Sequence, residues 1–115
     1  MSESKISVEK VLPQPNLDDI NLATVLHALS DPVRLKIIYG LAVYGEQPCN
    51  SIELPVTNST RTHHFRVLRK NGVIHTRRKG TMRLNQLRSE ELEQRFPGLL
   101  EALLSELKRT EGQRG

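Results

Sequence analysis

Between residues 54 and 89 the chain holds nine of its 17 Lys and Arg residues and none of its 13 Asp and Glu. Arg61, Arg66, Arg69, Lys70, Arg77, Arg78, Lys79, Arg83 and Arg88 therefore find no acidic partner inside their own segment. Burying unpaired charges is costly, so the segment must lay most of them on an outer surface while its few apolar residues anchor it to the rest. The formal net charge of +4 thus conceals a basic middle set in an acidic body. A field of one sign confined to part of a small protein is the footprint of a polyanion-binding surface, and nucleic acid is the first partner to consider.

The 115 residues make one domain. With two Phe, two Tyr and no Trp, the packing falls to Leu, Ile and Val. Cys49 is the single cysteine, which excludes an intramolecular disulfide and suits a reducing cytoplasm. The N-terminus shows no signal-peptide pattern, and no apolar run reaches bilayer length. The expectation is a soluble, cytoplasmic protein with no membrane partner.

Residues 1–15, with charges mixed around Pro13 and Pro15, carry no helical or strand period and read as a flexible arm. Residues 16–109 read as the folded domain and 110–115 as a flexible tail. Asn16 caps a helix over 16–29, with Asp18 and Asp19 in the first turn, where the helix dipole favours acids. Leu17, Ile20, Leu22, Val25, Leu26 and Leu29 surround that helix, so several of its sides need cover. Asp31 caps a second helix with Pro32 at its first position; Leu35, Ile38, Leu41 and Ala42 recur at helical spacing, and Gly45 stops it.

A short third helix over 50–53 lies between Pro48 and Pro55, and Thr57 caps a fourth over 57–70 that Asn71-Gly72 ends. Phe65 and Leu68 face inward from it. The period then changes to two: strands over 73–78 and 81–87 flank Lys79-Gly80 as a two-residue turn, which places Thr76, Arg78, Thr81 and Arg83 on one face. Ser89 caps a last helix carrying Leu92, Phe96, Leu99, Leu100, Leu103, Leu104 and Leu107, kinked or broken near Phe96 by Pro97-Gly98.

The third helix, the Pro55-Val56 turn and the helix from Thr57 form a helix-turn-helix. Its second helix opens with small hydrogen-bonding residues and then turns basic, the composition of a helix that reads base edges and holds phosphates. Asn58, Ser59, Arg61, Thr62, His63 and Arg66 are the candidates for base reading. Arg77, Arg78, Lys79 and Arg83 make the hairpin a basic finger for the DNA backbone or a minor groove. His63 and His64 point about 100° apart on a helix, so they make no metal pair; His63 faces DNA and His64 packs half-buried. Cys49 follows Pro48 in a loop with no Lys, Arg or His close in sequence and reads as a passive thiol, with a redox or electrophile sensor as the alternative. No nucleophile triad, phosphate loop or zinc-hydrolase motif is found, so neither an enzyme, a cofactor nor a metal site is expected.

The runs LSDPVRLKIIYGL and NSTRTHHFRVLRKNGVI, followed by the basic hairpin, resemble the ArsR/SmtB winged-helix repressors over residues 22–104. The resemblance implies a mainly α, α+β fold: a winged helix-turn-helix of about five helices with a two-stranded hairpin wing. It also implies a homodimer held by the first and last helices, here through Leu17, Ile20, Val25, Phe96, Leu99, Leu100, Leu103 and Leu104. Two such winged helices read a pseudo-palindromic double-stranded operator and release it on an inducer that the sequence does not identify. Metal sensors of that family use a Cys-x-Cys pair at the third helix or Asp/His pairs on the last. Here there is Cys49 alone, and residues 89–109 contain no His, Asp or Cys, so neither site carries over. The rival reading is a winged-helix module that docks an acidic protein on its basic face.

Overall fold

Three helices of this chain begin where a side chain accepts the free N–H groups of the first turn. In the structure, a computed structural model that describes residues 9–114, the Asn21 side chain accepts from Thr24 N at 3.0 Å to open α1 (Leu22–Ala28). Asp31 accepts from Val33 N at 2.7 Å and Arg34 N at 3.2 Å to open α2 (Pro32–Tyr44). Thr57 accepts from Thr60 N at 3.3 Å to open α3 (Asn58–Lys70). α4 (Ser89–Arg95) and α5 (Leu99–Arg114) follow the sheet.

The expected helix over 16–29 is broken. Leu17–Asp19 forms one 3-10 turn, Ile20 is extended, and Asn21 rather than Asn16 supplies the cap. The cause is tertiary: Ile20, 2% exposed, is drawn under Gly72, whose φ is +82° and where a Cβ would stand 2.6 Å from Ile20 Cγ1. A glycine stop for α3 thus also seats the segment before α1. The third helix is reduced to a 3-10 turn at Cys49–Ser51, because β2 (Gln47–Pro48) pairs with the hairpin just before it. In α2 the buried face includes Ile37 and Arg34, whereas Ala42 is exposed. Gly98, with φ +87°, separates α4 from α5 as a full break.

The expected two-stranded wing forms, as the inner pair of a four-stranded antiparallel sheet ordered β1-β3-β4-β2. β3 (Ile74–Lys79) and β4 (Met82–Leu87) pair Lys79 with Met82, so the turn is Gly80-Thr81, one residue later than expected, with Gly80 at φ +63°. Thr81 therefore leaves the face it was assigned to. The register puts Ile74, Thr76, Arg78, Arg83, Asn85 and Leu87 on the face turned to α3, and Arg77 and Lys79 on the other.

β1 (Glu9–Val11) pairs with Lys79, Arg78 and Arg77. Gln14 continues the pairing with its side chain, accepting from Thr76 N at 2.8 Å and donating to Thr76 O at 3.1 Å. Within the segment read as an arm, residues 9–11 thus form a strand, while residues 1–8 lie outside the described residues. At the other end α5 runs to Arg114, into the segment read as a tail.

Ile20, Val25, Ala28, Ile37, Ile38, Phe65, Leu68, Val73 and Ile74 form the centre of the core, all 2% exposed or less. Three residues assigned to a dimer contact belong to the core of the chain itself: Ile20, Val25 and Leu100. Leu17, Phe96, Leu99, Leu103 and Leu104 pack at its half-buried edge. The open apolar positions of α1 are instead Leu22 and Leu26, 47% and 46% exposed.

Candidate nucleic-acid interface

α3 divides cleanly by face. His64, Phe65 and Leu68 are buried, while Ser59, Thr62, His63, Arg66 and Lys70 are exposed at spacings of three, four and seven that make one stripe. Asn58 is exposed at the helix start. It accepts from Arg61 Nη1 at 2.8 Å, which folds Arg61 back along the first turn.

The inner face is fixed by a polar anchor that sequence reasoning missed. Arg34, 7% exposed, donates from Nε to Ala28 O at 2.7 Å at the end of α1, and from Nη2 at 3.3 Å to His27 O, which Ser30 N and Oγ also reach. Its Nη1 lies 3.0 Å from His64 Nδ1. An arginine only donates, so Nδ1 accepts and the imidazole is neutral, with its proton on Nε2. Burial first, then the charges of Arg34 and His63, hold the His64 pKa below its ordinary 6.5 against the pull of Asp31. Burial alone would raise the Asp31 carboxyl, but the Arg34 and Val33 N–H groups outweigh it and hold that pKa low. One guanidinium therefore ties α1, α2 and α3 together. The available signal was an arginine inside an apolar helix, which must bring its acceptors with it.

The wing cations are not equivalent. Arg78 and Arg83 are directly opposed across the strands, both exposed on the side of α3, a like-charge pair that destabilises a sheet unless an anion relieves it. Lys79 is exposed near the turn, on the other face. Arg77 shares that other face and makes a two-pronged pair with Glu46, Nε to Oε2 at 2.8 Å and Nη2 to Oε1 at 2.9 Å. The bond from Arg77 holds the Glu46 carboxyl below its ordinary value, against burial. Arg88, 7% exposed, donates to Glu91 at 2.6 Å and to Pro15 O at 2.8 Å and braces the junction with α4.

Between the first turns of α3 and the wing runs a groove of about 420 Å³ lined by Asn58, Arg61, Thr62, Thr81, Met82 and Arg83, with Cys49 and its neighbours on one side. Cys49 Sγ accepts from Asn85 Nδ2 at 3.3 Å. Arg66, Arg69 and Arg83, distant from it in sequence, line the same adjoining cavity. An amide donor and three guanidinium groups do not fit a metal cation at this thiol. Among the described residues no three His, Cys, Asp or Glu gather as a metal site, and no helix is long and apolar enough to cross a membrane.

No protein-family profile matches the chain. It is 34% identical over 89 residues to an uncharacterized HTH-type transcriptional regulator, YceK, of Bacillus subtilis (strain 168), covering 75% of this chain and 89% of that protein. It is 34% identical over 95 residues to a Staphylococcus aureus homologue of the cadmium resistance transcriptional regulatory protein CadC, covering 80% of this chain and 77% of that one. The crystal structure of the transcriptional repressor BigR from Xylella fastidiosa matches with a TM-score of 0.52 at 29% identity, over 64% of this chain and 84% of that chain.

Proposed function

This chain belongs to the ArsR/SmtB family of winged helix-turn-helix transcriptional repressors and is a DNA-binding regulator, and from that premise we propose that it works as a cytoplasmic homodimer with α3 in the major groove. The observation that carries this reading is the stripe of Ser59, Thr62, His63, Arg66 and Lys70, free of acids and set on a helix whose back is held by the Arg34–His64 anchor. Thr62, His63 and Arg66, with Asn58 and Ser59 at the entrance, meet base edges. Arg78, Lys79 and Arg83 hold backbone phosphates, which sets the register without reading sequence. Arg77 supports the wing through Glu46, and Arg61 orients Asn58.

The dimer surface in this reading combines Leu22 and Leu26 of α1 with Leu17, Phe96, Leu99, Leu103 and Leu104 at the edge of the core. Burying them places two α3 helices over half-sites about one DNA turn, roughly 34 Å, apart. An inducer that favours another dimer geometry releases the operator. The related proteins are transcriptional regulators, and the role proposed is regulatory, not catalytic.

Selection of bound duplexes from random DNA, followed by gel retardation, tests the reading. Recovery of a pseudo-palindromic site is expected. A pool that shows no enrichment at low salt contradicts it and favours an acidic protein as the partner of the basic face. Light scattering of the free protein is expected to give a dimer mass, and a monomer mass at micromolar concentration contradicts the paired arrangement.

A further inference from the structure

A cavity of about 120 Å³, room for about four waters, lies between the middle of α3 and the inner face of the wing. Three guanidinium groups line it: Arg66 and Arg69 from α3 and Arg83 from β4. Among the described residues no carboxylate lines it. Arg69 lies in the last turn of α3, and its Nε is buried and has no hydrogen-bond partner among the described residues. Burial, then the charges of Arg83 and Arg66, depress the Arg69 pKa, which records the same crowding.

The floor is rigid. Asn85 is fully buried; its Oδ1 accepts from Thr76 Oγ1 at 2.8 Å, and its Nδ2 donates to Gln47 O and Cys49 Sγ, each at 3.3 Å. Thr62 adds a hydroxyl at the rim. Gathering three cations around an orphaned N–H costs free energy in the empty protein, and one anion offsets both costs. Donors converge from a helix and a strand, so the anion must accept from several directions, as a tetrahedral oxyanion does.

We propose that this cavity binds one small tetrahedral oxyanion of the phosphate or sulfate type. Two sources share that chemistry: the free inorganic ion, and a backbone phosphate of bound DNA, since Thr62 and Arg66 belong to both the cavity and the reading stripe. The second source rests on the DNA-binding reading, and the first does not.

The test follows the Arg69 Nε–H resonance of the full chain during titration with sodium sulfate, ionic strength being held constant with chloride. A saturable shift is expected. In Arg69→Gln, followed at Arg83 Nε–H, the sulfate affinity falls about tenfold or more; Arg83→Gln, followed at Arg69, gives the same loss and serves if the first variant folds poorly. Duplex DNA added to the sulfate-saturated protein then separates the sources. Displacement of sulfate at Arg69 identifies a DNA phosphate as the occupant, and retention of sulfate beside bound DNA identifies a free-ion site. A sulfate response no larger than that of chloride overturns the proposal. Gel retardation of duplex by Arg69→Gln reports DNA binding separately, so an empty cavity and a failed regulator reading are told apart.

Discussion

Arg34 and Arg69 lie on opposite sides of the recognition helix and have opposite surroundings. Arg34 is 7% exposed, and its donors reach Ala28 O, His27 O and His64 Nδ1. Arg69 is half-buried beside Arg66 and Arg83, with an Nε that reaches nothing among the described residues. A buried guanidinium supplied with acceptors holds architecture together. One left without them marks where an anion is to come from outside.

The contrast breaks most readily at Arg34. Arg34→Met leaves His64 Nδ1 and Ala28 O without their guanidinium donor, and at about 1–3 kcal/mol for each stranded acceptor urea unfolding is expected to show a loss of about 2–6 kcal/mol. A loss below about 1 kcal/mol makes the anchor incidental.

Removing a cation on the open side should act on binding alone. Arg66→Ala is expected to leave stability within about 0.5 kcal/mol and to weaken operator binding by about 1–3 kcal/mol. An equal loss on random DNA moves Arg66 from base reading to phosphate contact.

A smaller effect sharpens the anchor through pH. The His64 pKa is depressed in the folded protein, so below the ordinary value of 6.5 the unfolded chain takes up more protons than the folded one, and stability falls as pH drops. Thermal unfolding between pH 7.5 and 5.5 should show that decline, and His64→Gln should remove it. The depressed carboxyls, Asp31 and Glu46, act lower, since their contribution is lost only as pH falls through their folded pKa values below 3.8 and 4.5. The smallest effect is expected from Arg77→Ala, whose side chain lies on the far face with Glu46: operator binding should change less than in Arg78→Ala or Arg83→Ala.

Much of this was legible in the sequence wherever the determinant was local. The Asp31 and Thr57 caps, the Asn71-Gly72 stop and the hairpin around Gly80 each depend on neighbours within a few positions. The break at Ile20 was not legible, because its cause is Gly72, more than a helix away. A three-residue strand such as β1 has no period of its own and exists only by pairing with β3. The basic surface was plain from charge alone, but its division was hidden: Glu46, which engages Arg77, is 31 positions away. The cations around Cys49 come from α3 and β4, so none lies near it in sequence.

Operator affinity across a salt series tests most directly whether α3 and the wing grip DNA through their exposed cations, Arg66, Arg78, Lys79 and Arg83. A fall of roughly 10³ between about 50 and 200 mM salt is expected, with the log–log slope reduced by about one in Arg83→Ala. An affinity that stays constant across that range, or a slope that Arg83→Ala leaves unchanged, contradicts it.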